Sequence, residues 1–155
     1  MKVNSMADLI SVDLGKTGAI AYWEKGKCYR VAQWKIGKKE LNVEHLSNVV
    51  KIFQEAIGEN KPIVVVERPS MRLPYQWILY SDLRYLAKIN KCEFYAYMPT
   101  TIKKEVTGSG KADKEDMKKA LLKNDILSNG VLPNGEHEID SILAGWCYLR
   151  KTHGK

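Results

Sequence analysis

The feature that most constrains the fold is a short apolar run, PIVVVE, at residues 62–67. Three consecutive valines without polar alternation are typical of a strand that is buried on both faces of its sheet. Residues 41–57, which precede this strand, place five apolar side chains at helical spacing and are followed by Gly58 as a stop signal. Residues 75–90, which follow it, are also predicted to be helical. The chain is therefore expected to be an α/β protein.

Other segments complete a mixed sheet. Residues 8–13, 18–24 and 27–36 are rich in β-branched and aromatic residues and predict three sequential strands, the last two joined as a hairpin at Lys25 and Gly26. Residues 92–98 alternate like a further strand. Helices are predicted at 100–106, 113–123 and 138–151, with a loop at 124–137. The predicted fold is a mixed five-stranded sheet, a three-strand meander followed by two further strands, flanked by helices.

Length and charge limit the classes of function. The 155 residues fit a single domain, 1–155, around one core. The formal net charge is +7, and the basic surplus is concentrated in residues 61–119, which favours a polyanionic partner. Three widely spaced cysteines and no long apolar segment predict a cytoplasmic protein with no membrane association.

Acidic residues close two of the predicted strands. Asp13 ends the first strand and Glu67 ends the PIVVVE strand, while Asp140 lies in the last predicted helix with His137 three residues before it. Taken singly, each acid could be a solvent-facing residue at a strand end, and Asp140 could favour the helix N-terminus through the dipole. If the three carboxylates converge, their repulsion requires a cation, and oxygen ligands of this kind suit Mg²⁺ or Mn²⁺.

Four segments in this order resemble the RuvC family of Holliday junction resolvases, within the RNase H-like nucleases. ISVDLGKTGAIAYWE is similar to the family's first two strands, and PIVVVERPS to its fourth. A third match is MPTTIKKEVTGSGKADKEDM, which is similar to a segment in which two functional lysines flank a Val-x-Gly-x-Gly turn. In this chain the two lysines correspond to Lys103 and Lys114. HEIDSILAGW is similar to the closing helix, with Asp140 as its second acid.

The resemblance implies a catalytic site and a mechanism. Asp13, Glu67, His137 and Asp140 would bind two Mg²⁺ ions, with Mn²⁺ as a possible substitute, and Lys103 and Lys114 would complete the catalytic set. Paired symmetric nicks in a four-way DNA junction would leave 5′-phosphate and 3′-OH ends. No small-molecule cofactor is implied. The expected DNA contacts are Lys103, Lys104, Lys111, Lys114, Arg68, Arg72 and Arg84.

The chain also departs from the family pattern. His137 replaces the first acid of the closing pair, and Glu136 beside it is an alternative ligand. Pro69 and Ser70 stand where the family can carry an aromatic residue that wedges into the junction, so Tyr75 or Trp77 could take that part, although the spacing of Trp77 favours a core or interface position.

A four-way junction has near two-fold symmetry, which favours a homodimer. By resemblance, the interface would be helix 75–90, with Ile78, Leu79, Leu83 and Leu86 buried between subunits. The short chain favours a phage-type member acting in a bacterial or infected cell. Alternatives are a nuclease of the same fold that cuts flaps, forks or RNA-DNA hybrids, a non-catalytic junction-binding module, and a nucleotide-binding ATPase or kinase built on the Asp-x-Gly-x-Thr turn.

Overall fold

A computed structural model describes residues 6–15, 17–34, 43–58, 60–69 and 74–153. Five strands and five helices lie in these ranges. They are β1 (Leu9–Asp13), β2 (Gly18–Glu24), β3 (Lys27–Trp34), α1 (Val43–Ile57), β4 (Ile63–Glu67), α2 (Pro74–Ile89), β5 (Phe94–Tyr97), α3 (Pro99–Thr107), α4 (Lys114–Lys123) and α5 (Glu136–His153). None of the helices in these ranges combines the length and apolarity that a bilayer span requires.

The sheet is mixed and has the strand order β3-β2-β1-β4-β5. β1, β2 and β3 form an antiparallel meander, and β4 and β5 extend it in parallel with β1. At the hairpin between β2 and β3, Lys25 and Gly26 both have positive φ, as a tight hairpin turn requires. The predicted α/β fold with a meander and two further strands is confirmed.

Both faces of the sheet are covered, as the valine run predicts. Val64 and Val66 pack with α1 and α2 in one core, and Val65 packs with α3, α4 and α5 in the other. All three valines are fully buried. β4 therefore separates two hydrophobic cores, and both cores pack against the strand that ends at Glu67.

The helix α5 crosses the centre of the sheet at close range. Gly145 makes this possible, because a Cβ atom there would lie 2.5 Å from Trp23 Nε1 and 2.7 Å from Ser11 Oγ. Trp23 Nε1 itself donates a 2.9 Å hydrogen bond to Ser11 Oγ. Since Ser11 lies two residues before Asp13, this contact brings the N-terminal half of α5 over the end of β1.

The observed element boundaries lie within two residues of the predicted ones. The largest change concerns α5, which begins at Glu136 and ends at His153, so the predicted loop ends at Gly135. The predicted ends of β3 at residues 35–36 and the predicted start of α1 at 41–42 lie outside the described residues.

Parts of two expectations for α2 are wrong. Leu79 and Leu83 are fully buried and Leu86 is 8% exposed within the chain's own core, so they have no surface left to bury between subunits. Ile78 is half-buried, and its place in an interface stays a prediction. Tyr75 is also buried, with its ring beside His45, and cannot wedge into a DNA junction. An amphipathic stripe shows that a helix face is covered, but the stripe does not show which surface covers it.

Candidate active site

The register of the parallel strands places Asp13 and Glu67 side by side. Val12 of β1 is paired with Val66 of β4, and the two acids are the next residues along. Neighbouring strands lie about 4.8 Å apart, and paired residues face the same side of a sheet. That side is the one covered by α5, because Leu9, four residues before Asp13, and Val65, two residues before Glu67, face the same side and pack in the α5 core.

The first two turns of α5 supply the other two members of the set. Nδ1 of His137 lies 2.8 Å from Oδ2 of Asp13, which joins α5 directly to the end of β1. Asp140 follows three residues later on the same helix face. We call Asp13, Glu67, His137 and Asp140 the site cluster.

Burial and mutual repulsion set the proton affinity of the three carboxyl groups. The pKa of Asp13 is raised to about 8, first by burial and then by the charges of Asp140 and Glu136. Burial, Asp13 and Asp140 raise the pKa of Glu67 to about 8. The pKa of Asp140 is raised to about 6 by burial and by Glu136, against the opposing effect of His137. Burial is the largest cause of all three shifts, and the charges of neighbouring acids add to it.

Two lysines stand beside the site cluster. Lys103 on α3 is half-buried, and its ammonium group opposes the raised pKa values of both Glu67 and Asp140. Lys114, the first residue of α4, is exposed and forms a 2.8 Å ion pair with Glu136. Both lysines line a cavity of about 380 Å³ together with Glu67, Glu136 and Asp140.

The start of α4 is well defined, which fixes where Lys114 lies. Asp113 accepts a hydrogen bond from the backbone N–H of Asp116, whose own carboxylate accepts from the N–H of Asp113. This reciprocal capping satisfies two N–H groups that the helix leaves unpaired. Lys103 and Lys114, the two ends of this segment, thus lie on the same cavity beside the site cluster.

The donor set suits a divalent cation, although the side chains are not closed around one. Three carboxylates and an imidazole are ligands that Mg²⁺ and Mn²⁺ accept, and a bound cation would favour the ionised form of carboxyl groups that are buried close to one another. Within the described residues, no three Asp, Glu, His or Cys side chains form a group that could hold one ion as they stand. Glu136 pairs with Lys114 and His137 with Asp13, so His137 is the better placed of these two as a ligand.

The expected DNA contacts are distributed unevenly. Arg68 is exposed directly after Glu67, and Lys104 and Lys111 are exposed near α3, but Arg72 lies outside the described residues. Arg84 lies on α2 beside Phe94, on the sheet face opposite α5. Of the expected DNA contacts, the structure therefore brings Lys103 and Lys114 to the cavity beside the site cluster. Lys104 lines a different cavity with Arg150 and Lys151, and Arg84 lies on the opposite face of the sheet.

Three contacts near the site were not predicted from the sequence. Glu136 pairs with Lys114, and the side chains of Trp34 and Gln76 donate hydrogen bonds to the turn after Asp13. For Glu136 the sequence did offer a signal, because it is an acidic residue beside His137 and was named as an alternative ligand. Neither Trp34 nor Gln76 carries a local signal, because each bond joins elements distant in sequence.

A mixed sheet of order β3-β2-β1-β4-β5, with acids at the ends of β1 and β4 and on a crossing helix, defines the RNase H-like class of folds. Comparison with solved structures agrees. The structure of Thermus thermophilus RuvC matches 94% of this chain and 96% of its own, with a TM-score of 0.71 and 18% identity. T. thermophilus RuvC in complex with Holliday junction substrate matches 95% and 97%, with a TM-score of 0.73 and 20% identity. No family model and no curated protein sequence matches the chain. The chain therefore has a RuvC-type fold.

Proposed function

We propose that the chain is a divalent-metal-dependent endonuclease that cuts four-way DNA junctions. The observation that carries the proposal is the gathering of the site cluster at the carboxyl end of a RuvC-type sheet, beside Lys103 and Lys114. A structural relative, T. thermophilus RuvC, is known in complex with a Holliday junction substrate. The net charge of +7 is consistent with a nucleic-acid partner.

In this proposal, the site cluster would hold two Mg²⁺ ions, and Mn²⁺ would substitute. The chemistry that such ions supply when bound is activation of a water molecule and neutralisation of charge on the leaving 3′ oxygen. The carboxyl groups of Asp13, Glu67 and Asp140 must be deprotonated to act as ligands. His137 must either give up its contact with the Asp13 carboxylate or keep it while that carboxylate also binds an ion.

The lysines have separate parts. Lys103 is half-buried and faces Glu67 and Asp140, so its ammonium group is placed to bind the phosphate next to the one cleaved. Lys114 is exposed, and a phosphoryl oxygen that gains charge in the transition state can replace Glu136 as its partner. Departure of the 3′ oxygen leaves 5′-phosphate and 3′-OH ends.

Paired nicks require two sites related by two-fold symmetry, so the proposal includes a homodimer with one site in each subunit. It takes residues 1–155 as one nuclease domain, with the cytoplasm as its compartment. Cys28, Cys92 and Cys147 are all free thiols, which suits a reducing compartment.

A cleavage experiment tests the proposal. Purified protein is incubated with a labelled immobile four-way junction, a flap and a linear duplex, in Mg²⁺, Mn²⁺ or chelator. The expected result is paired, symmetric nicking of the junction in either metal, no cleavage in chelator, and no cleavage by Asp13→Asn, whose fold is checked by circular dichroism. Cleavage of flaps, forks or RNA-DNA hybrids in preference to junctions would assign a different substrate. Junction binding without cleavage would show a binding module and overturn the proposed activity.

A further inference from the structure

The turn that follows Asp13 is held by side chains from two other elements. Leu14 and Gly15, which we call the Asp13 turn, come directly after the last residue of β1. Gln76 Nε2 donates a 2.9 Å hydrogen bond to the carbonyl oxygen of Leu14. Trp34 Nε1 donates a 3.0 Å hydrogen bond to the carbonyl oxygen of Gly15. Two successive carbonyl groups beside a member of the site cluster are therefore bound by side chains of α2 and β3.

The Asp13 turn has little room to move. A Cβ atom on Gly15 would lie 2.8 Å from the carbonyl oxygen of Thr17, so the turn is closed tightly on itself. A Cβ atom on Gly18 would collide with both the ring of Trp34 and the carbonyl oxygen of Asp13. The ring of Trp34 is 7% exposed and stacks edge-on against Phe53 of α1, with 5.8 Å between ring centroids. Trp34 is thus a rigid support under the turn.

Gln76 is not needed to attach α2 to the protein. The helix buries Leu79, Leu83 and Leu86 in the core on its own face of the sheet. Gln76 lies one turn before Leu79, in the first turn of α2, and its half-buried side chain reaches instead across the carboxyl end of the sheet to Leu14. This bond therefore ties the first turn of α2 to the backbone that carries Asp13.

We propose that Gln76 and Trp34 are positioning residues for Asp13, and that they raise the affinity of the site cluster for a divalent cation by holding the Asp13 turn. The inference rests on the proposed function, because it takes Asp13 as a metal ligand. Asp13 is one of the cluster's two strand-end acids, and it already contacts His137 of α5. A ligand that is held in place before the ion arrives loses less conformational freedom on binding.

The test is metal binding without DNA. Isothermal titration of the full chain with MnCl₂ gives the dissociation constant for wild type, Gln76→Met and Trp34→Phe. Methionine keeps the length of glutamine and removes the donor, and phenylalanine keeps a ring and removes the indole N–H. We expect each variant to weaken Mn²⁺ binding about tenfold, which is the lower end of the range for residues that orient metal ligands. Gln54→Met, at an exposed position of α1, is the matched control and is expected to bind as wild type does.

A second measurement separates positioning from stability. The urea midpoint of the metal-free protein is expected to differ little between Gln76→Met and Gln54→Met, whereas their Mn²⁺ dissociation constants differ. Mn²⁺ affinity of Gln76→Met within twofold of wild type would overturn the inference and leave the proposed function intact. Failure of wild type to bind Mn²⁺ would overturn the proposed function, and the inference with it. If Trp34→Phe is too unstable to titrate, Gln76→Met alone decides the outcome.

Discussion

At the scale of single residues, Lys103 and Lys114 make different contacts and so have different expected effects. Lys114 is exposed, and its partner Glu136 is half-exposed in its side chain, with 50% of it accessible. Exposed ion pairs are weak, so the phosphate of a bound DNA strand can take the place of Glu136. Lys103 is half-buried next to carboxylates, so it cannot exchange its partners for a DNA phosphate as easily as Lys114 can.

We expect Lys114→Ala to lower the cleavage rate at saturating junction by about 100-fold, as loss of one donor to transition-state charge does in other enzymes. Single-turnover kinetics measure the rate, and a binding titration measures affinity, which is expected to change much less. Lys123→Ala, at the far end of α4, is the control and should cleave at the wild-type rate. Equal rates for Lys114→Ala and the control would remove Lys114 from the mechanism.

The carboxyl groups of the site cluster predict how stability depends on pH in the absence of metal. The pKa of Asp13 rises from its ordinary value of 3.8 to about 8 on folding, and that of Glu67 rises from 4.5 to about 8. A raised folded-state pKa means that the folded chain holds protons which the unfolded chain has released. The stability from these protons is complete below about pH 4 and is lost as pH rises towards 8.

In chelator, the melting temperature is therefore expected to fall between pH 5 and pH 8, and the loss is about 1.4 kcal/mol per pH unit for each proton involved. Mg²⁺ should restore stability more at pH 8 than at pH 5, because it competes with protons for the same oxygens. Asp13→Asn removes one of the groups and should flatten the profile. Thermal scans in chelator check this, and a wild-type profile no steeper than that of Asp13→Asn would contradict it.

At the scale of elements, the close approach of α5 to the sheet depends on Gly145. Gly145→Ala would place a methyl group against Trp23 and Ser11, both fully buried. Overpacking of this kind costs about 1–3 kcal/mol, and it would also shift His137 and Asp140 away from Asp13. We expect a lower urea midpoint and slower cleavage than wild type. Gly110→Ala is the control for the urea midpoint alone, because a Cβ atom there meets only the Thr100 carbonyl oxygen at 3.6 Å. Equal midpoints would show that α5 can move without cost.

Element types and their order could be predicted from the sequence, because they depend on local patterns. The valine run, the turn at Lys25 and Gly26, and the apolar spacing of the helices were sufficient. The start of α5 was missed because Glu136 and His137 carry no apolar signal, although Gly135, with a φ of 91°, ends the loop before them. Asp140 consequently lies in the second turn, beyond the reach of the helix-dipole explanation that holds for a first turn.

The candidate site was predicted less completely than the fold. Strand order and register decide that Asp13 and Glu67 are neighbours, and a resemblance in sequence could suggest this contact. The hydrogen bonds from Gln76 and Trp34 join positions 62 and 19 apart in sequence, and depend on how α2 and β3 pack around the sheet end. Contacts of this kind follow from the tertiary arrangement and have no local pattern.

At the scale of the whole molecule, the burial of Leu79 and Leu83 changes which part of α2 could join two subunits. Tyr85 and Ile89 are 64% and 55% exposed and lie four residues apart, on one face of the helix. Contiguous exposed apolar patches mark interaction sites, and this pair is a candidate centre for one. If the proposed homodimer forms through α2, these two side chains and the half-buried Ile78 are available to it.

We expect Tyr85→Glu to convert the dimer to a monomer, because a carboxylate would lose its hydration in the apolar contact. Sedimentation equilibrium at micromolar concentrations measures the mass of each variant. Leu122→Glu is the matched control, since Leu122 is also 64% exposed but lies at the far end of α4, on the sheet face opposite α2. The monomer should also nick one strand of a junction without the coordinated second nick, since only a two-fold pair of sites cuts both strands together. A Tyr85→Glu protein that remains dimeric would place the interface elsewhere on the surface, and a monomeric wild type that still cuts both strands together would show that the paired nicks do not require a dimer.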